Sequence, residues 1–198
     1  MPTYEDMPTY LVTDIEANGL VPGRHSMLSI ASVAVDHSGA ELGQFTANLT
    51  PVDGHSSEPG TMAWWSTQPD AWREATADPV KPSLAVNRFV AWAQGLPGPR
   101  IFTAHPLHFD GAYIAWYLDQ FADLPLYDSP RESGLTAGGL DLPSLVMGVM
   151  GWTFDRCGRH NYPDVWLGGH THSHRAIDDA LGYAALLKTM LEKQKPQV

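Results

Sequence analysis

The chain has a single cysteine, Cys157, among its 198 residues. That excludes an internal disulfide and a cysteine-built zinc cluster, and it suits a reducing cytoplasm. No apolar run reaches the roughly eighteen residues that a membrane-spanning helix needs, and no charged stretch followed by an apolar one opens the chain. Neither a membrane contact nor a secretory signal is therefore expected. Basic residues are scarce, with 12 Lys and Arg against 22 Asp and Glu and a formal net charge of −10. A long duplex laid along such a surface is excluded, because phosphate contacts need a basic tract. A short single strand or a chain end entering one local site is compatible. Two divalent ions held by four carboxylates would leave a charge of about −6, still acidic.

What is present fits one globular domain with a full core, at 43% hydrophobic residues. MPTY at Met1–Tyr4 recurs at Met7–Tyr10, which reads as a mobile segment over 1–9 or a second start at Met7. The domain proper spans 10–193, with a tail over 194–198. Tyr10–Ile15, Met27–Asp36 and Leu42–Leu49 read as three strands in hairpin connection, with a turn at His37-Ser38-Gly39. Val52–Gly60 reads as a loop. Thr61 caps a short helix carrying Trp64 and Trp65, and Ser83 caps another that ends near Gly95. Arg100–Ala104 is a short buried strand, Asp110–Phe121 a helix and 123–139 a loop. Leu140–Met150 reads as a strand end entering a helix, Arg156–Gly169 as an irregular insert, and Ala176–Lys193 as the clearest helix. Strands first, then alternating strands and helices, predict an α/β domain with a mixed central sheet flanked by helices.

Three segments carry acids in suggestive places. In Leu11-Val12-Thr13-Asp14-Ile15-Glu16, strand alternation turns Asp14 and Glu16 to one face, about 7 Å apart along the chain. A cation between them would relieve their repulsion, and oxygen ligands suit magnesium or manganese. The alternative is two solvent-facing acids on an edge strand. Asp110, after the strand 100–104, either faces the same site or merely caps its helix. In the helix from Ala176, the stripe Ile177, Ala180, Ala184, Leu187 and Leu191 leaves Asp179 at the margin of the buried face and Asp178 toward water.

Taken together, LVTDIEANGL, AHPLHFD and HRAIDDA resemble the three ordered motifs of the DEDDh exonucleases, over about Leu11 to Leu191. FTANLTP is similar to that family's third strand. The resemblance implies a ribonuclease H-like fold and 3′→5′ hydrolysis with two divalent cations, Mg²⁺ or Mn²⁺. Asp14, Glu16, Asp110 and Asp179 would hold them, and His174, just ahead of the last helix, would be the general base. It also implies that the 3′ end of single-stranded RNA or DNA meets Ala17, Asn18, Gly19 and Leu20, with Trp65, His105 and Phe109 beside it. A homodimer is left open. His170 and His172 fall outside the motif and read as loop residues.

Departures lie in substrate contacts. Ala17-Asn18 stands where the family commonly has Thr-Thr, Pro106 where Asn is usual and Ser29 where Glu is frequent. Thr61-Met62-Ala63-Trp64-Trp65 is similar to a segment of some phage and bacterial relatives. Either both tryptophans fill the core, or one is buried and the other reaches an unpaired base. Arg24, Arg100, Arg131, Arg156, Arg159 and Arg175 are candidates for phosphate contact. Two other classes compete: a binding protein that keeps the fold without turnover, and a histidine-ligated metallophosphoesterase suggested by GGHTHSH. The second class needs an early Asp-x-His, a Gly-Asp and a Gly-Asn-His-Glu, none of which occurs.

Overall fold

A computed structural model of the chain describes residues 7–194. Residues 1–6 and 195–198, and with them most of the two expected terminal segments, lie outside the described residues. Thr9–Ala17 (β1), Met27–Val35 (β2) and Glu41–Asn48 (β3) pair as the antiparallel meander that their alternation predicts. Arg100–Ala104 (β4) then lies parallel to β1, and Gly138–Asp141 (β5) parallel to β4, in the order β3-β2-β1-β4-β5. Gly138 and Gly139 were expected in a loop. They form strand by pairing with Ile101 and Phe102, a tertiary choice that glycine's poor strand propensity conceals.

Among the described residues, six α-helices flank the sheet: Pro59–Trp65 (α1), Pro69–Ala75 (α2), Pro82–Gln94 (α3), Leu107–Ala122 (α4), Leu142–Met150 (α5) and Ala176–Gln194 (α6). The first three begin on proline, at the position where a missing N–H costs nothing. Neither Thr61 nor Ser83 caps a helix, because each already lies inside one. Helix α2 was not expected, although Pro69 and Asp70 in its first turn are a legible start. Helix α4 begins three residues before Asp110, where Asp141 accepts the Leu107 amide at 3.0 Å and also caps α5 through Ser144. The expected irregular insert is a chain of three 3₁₀ turns, Phe154–Arg156, Arg159–Asn161 and Asp164–Leu167.

The parity of β1 sorts its side chains between two cores. Leu11, Ile15 and Ala17 pack with α3 and α4, while Val12 packs with α5 and α6. β2 is buried at every residue, as a strand covered on both faces must be. The buried face of α6 is wider than its predicted stripe and rotated toward Asp179, taking in Tyr183, Leu186 and Met190. Among the described residues, no helix is long and apolar enough to cross a membrane.

Candidate active site

Asp14 and Glu16 continue the Val12 face of β1 and so meet α6. There Asp179 brings a third carboxylate, and one oxygen from each of the three lies within 4.8 Å of the others. Asp110 comes from the opposite layer. β4 pairs with β1 only as far as Val12, so the Ile15 amide on that edge is free to donate to Asp110 Oδ1, at 2.9 Å. The acids therefore converge where β1 runs past the carboxyl end of its parallel neighbour β4, beside the usual ligand crevice of α/β sheets. Asp178, one residue away, is half-buried and accepts a hydrogen bond from Ser173 Oγ at 2.6 Å.

The electrostatics are those of a site short of positive charge. Burial, and then Asp110, Glu16 and Asp179, hold Asp14 well above the usual carboxylate range. Glu16 is raised likewise, by burial and then by Asp179, Asp110 and Glu74. Burial pushes Asp110 up to about 7. Asp179 is 4% exposed. Its Oδ1 lies 2.9 Å from His172 Nδ1, and this buried oxygen accepts no hydrogen bond. An all-oxygen donor set with mutual repulsion and an unsatisfied buried carboxylate oxygen fits hard divalent cations.

A cavity of about 530 Å³ opens beside Glu16, lined by Ala17, Gly19, Leu20, Trp64 and Phe109 among others. That volume lies within the range of ligand sites. Its floor is tied down: Trp65 Nε1 donates to the Ala17 carbonyl at 2.9 Å, and the Tyr113 hydroxyl to the Gly19 carbonyl at 2.7 Å. Only glycine fits at 19, since a Cβ there would stand 2.3 Å from the His25 ring.

Three expected contacts are placed differently. Trp65 is 2% exposed, so the tryptophan facing the cavity is Trp64. Asn18 is buried, its amide N–H donates to the Ser26 carbonyl, and both ends of its side-chain amide are engaged within the protein, by Ser26 and Ser57. His105 stacks on Tyr183 at 4.7 Å, and its Nε2 is 2.9 Å from the Tyr162 hydroxyl, which donates to the Cys157 carbonyl. His105 is therefore the donor to Tyr162, and burial pushes its pKa down to about 4. It supports Tyr183, whose hydroxyl is raised by burial and then by Asp14, Asp179 and Asp110.

His174 lies before α6 with a left-handed backbone, φ 57°. Its ring meets Trp64 edge-on at 4.8 Å and His172 at 4.2 Å. Burial and the neighbouring His172 lower its pKa, against the pull of Asp179. His172, read from the sequence as a loop residue, is the histidine that reaches Asp179. Its place in GGHTHSH, two residues before His174, was the available signal. Of the arginines, Arg100 bonds the Leu135 carbonyl, Arg156 covers the Trp152 ring, and Arg159 bonds the His170 carbonyl. Arg175 lines a separate hollow beside Gln68 and Ser173, and Arg24 and Arg131 are exposed.

A mixed sheet with acids gathered past the carboxyl end of β4 defines an α/β domain built around a cation-ready cluster. Neither a protein-family model nor a curated protein matches the chain. Solved structures do match it. The zinc-bound E. coli exonuclease I–single-stranded DNA complex gives a TM-score of 0.68 at 16% identity, over 97% of this chain and 42% of that one. Exonuclease I from Methylocaldum szegediense gives 0.65 at 17%, over 97% and 41%. A 3′-exonuclease described in specific recognition of the 3′ end of a histone mRNA stem-loop gives 0.66 at 10%, over 98% and 84%. The chain thus has the ribonuclease H-like fold of these exonucleases, in one α/β domain. It spans about two-fifths of the length of the exonuclease I chains it matches.

Proposed function

We propose that residues 10–193 form a divalent-metal-dependent 3′→5′ exonuclease of the DEDDh type, releasing nucleoside monophosphates from single-stranded RNA or DNA ends. The observation that carries this reading is the convergence of Asp14, Glu16 and Asp179, with Asp110 alongside, where Glu16 also lines the 530 Å³ cavity. These four carboxylates would hold two Mg²⁺ or Mn²⁺ ions. When bound, such ions supply the positive charge that activates water and offsets charge on the leaving 3′ oxygen.

The chain's own residues do the rest. His174 takes the proton of the attacking water, and a lowered pKa keeps its imidazole free to accept it near neutral pH. Ala17, Gly19, Leu20 and Phe109 receive the terminal nucleotide, and Trp64 offers a ring face to its base. Trp65 and Tyr113 keep that floor in position through the Ala17 and Gly19 carbonyls. Exonuclease I structures with single-stranded DNA, dA16 and dT13 support a single-stranded partner. The lone cysteine supports a cytoplasmic setting.

A 5′-labelled single strand, as RNA and as DNA, tests the reading. Mg²⁺ should give a descending ladder of products, EDTA should abolish it, and a 3′-phosphate should slow it. Binding of the strand without metal-dependent release would make the chain a binding protein on an exonuclease fold. Rapid cutting of closed circular strands would overturn the 3′ polarity.

A further inference from the structure

The histidine loop carries a second ligand set that the proposed hydrolysis does not use as one. In His172-Ser173-His174, the left-handed backbone at His174 accompanies two rings gathered on one side, their centroids 4.2 Å apart. His172 Nδ1 stands 2.9 Å from Asp179 Oδ1, and one donor atom from each of His172, His174 and Asp179 lies within 4.8 Å of the others. Asp179 is more than nine-tenths buried, and that oxygen has no hydrogen-bond donor although it faces the two imidazoles. A strongly acidic chain has little use for two imidazoles crowded against one carboxylate unless something positive joins them.

We infer that His172, His174 and Asp179 form a zinc-class transition-metal site, which shares Asp179 with the all-oxygen set, and that filling it blocks the hydrolytic site. Two imidazoles and a carboxylate suit zinc and cobalt, whereas magnesium prefers oxygen ligands. Bonds of about 2.0–2.1 Å put the donors of a tetrahedral ion about 3.3 Å apart, between the closest and widest separations found here. Side-chain rotation closes the difference, and His172 and His174 are each partly exposed on a loop that leaves room for it. The block follows from shared parts: the ion would occupy the base, His174, and one carboxylate, Asp179. This consequence, though not the site itself, rests on the nuclease reading above.

The test is a Co²⁺ titration of the metal-free protein followed by visible absorption, with Zn²⁺ as competitor, in wild type and His172→Ala. Tetrahedral nitrogen ligation gives intense visible bands that an octahedral oxygen site does not. Wild type should show them, Zn²⁺ should displace them, and His172→Ala should weaken binding by at least about tenfold. Mg²⁺ binding, followed by calorimetry, should be alike in both proteins. In the Mg²⁺-supported nuclease assay, the zinc concentration for half inhibition should rise in His172→Ala by the same factor as the binding constant. Equal Co²⁺ spectra and affinities in the two proteins would overturn the site. Equal zinc inhibition of the two would overturn the block. An intact spectral difference in a protein without nuclease activity would uphold the site while the nuclease reading fails.

Discussion

Asp14 and Glu16 stand on β1, paired there to β2 and past the end of β4, whereas His172 and His174 stand in a stretch, 168–175, without regular structure. The acids are held by backbone pairing to β2 and by the Ile15–Asp110 hydrogen bond. The histidine stretch is tied mainly at its ends, through the Gly169 and His170 amides on the last 3₁₀ turn and the Arg175 carbonyl at α6. Groups that must hold cation ligands at fixed spacing gain from a rigid element. A group that must approach water, accept its proton and release it gains from a segment of low local stability. One site thus combines a stiff half and a pliable half.

The stiff half should be the less forgiving. Asp179→Asn should cost several orders of magnitude in hydrolysis, while Asp178→Asn stays within a few-fold of wild type in the same steady-state assay. The reverse ranking would put the wrong acid of the pair in the site. His174→Ala, in the pliable half, should lose about 10²–10⁴-fold, the usual contribution of a general base. Its residual rate should climb with pH as hydroxide substitutes for the base, which a pH–rate profile reads directly. Trp64→Ala should weaken single-strand binding by about tenfold, within the 1–3 kcal/mol expected of one base stack. Fluorescence anisotropy without turnover, in EDTA, measures it.

The smallest effect concerns folding. With no cation present, burial and mutual repulsion keep protons on Asp14, Glu16 and Asp110 at pH values where the unfolded chain has released them. The folded form then binds more protons than the unfolded form between about pH 4 and Asp110's raised value of about 7. Stability should therefore fall as pH rises through that window. Thermal unfolding in EDTA should give a higher midpoint at about pH 5 than at about pH 8, and Mg²⁺ should narrow the gap. A midpoint that rises with pH would contradict the crowding of the acids.

The same contrast separates what could be read in the sequence from what could not. β1, β2 and α6 were legible because their apolar periodicity is unbroken, and that periodicity already turned Asp14 and Glu16 to one face. Asp179 was separable from Asp178 by helical phase, although the true buried face is rotated further toward it. β5 was hidden because its first half is Gly-Gly, and its pairing with β4 is a tertiary event. Trp64 and Trp65 could not be told apart, since their assignment depends on how a seven-residue helix meets the Ala17 carbonyl. His105 looked like a substrate contact because it lies in a motif, yet it supports Tyr183 from behind. His172 stood outside the exonuclease motifs, in the GGHTHSH segment that suggested histidine metal ligands, and only the fold of an irregular loop brings it to Asp179.

In the proposed hydrolysis, carboxylates on rigid elements would hold the two hydrolytic cations, and His174 would move a proton without ligating either. Calorimetric titration of Mn²⁺ into Asp14→Asn and His174→Ala, both correctly folded by circular dichroism, tests it most directly. Asp14→Asn should bind Mn²⁺ far more weakly than wild type, because a charged oxygen ligand is gone. His174→Ala should bind it with nearly unchanged affinity while hydrolysing far more slowly. Loss of Mn²⁺ binding in His174→Ala as complete as in Asp14→Asn would make the histidine a ligand and contradict the division of labour.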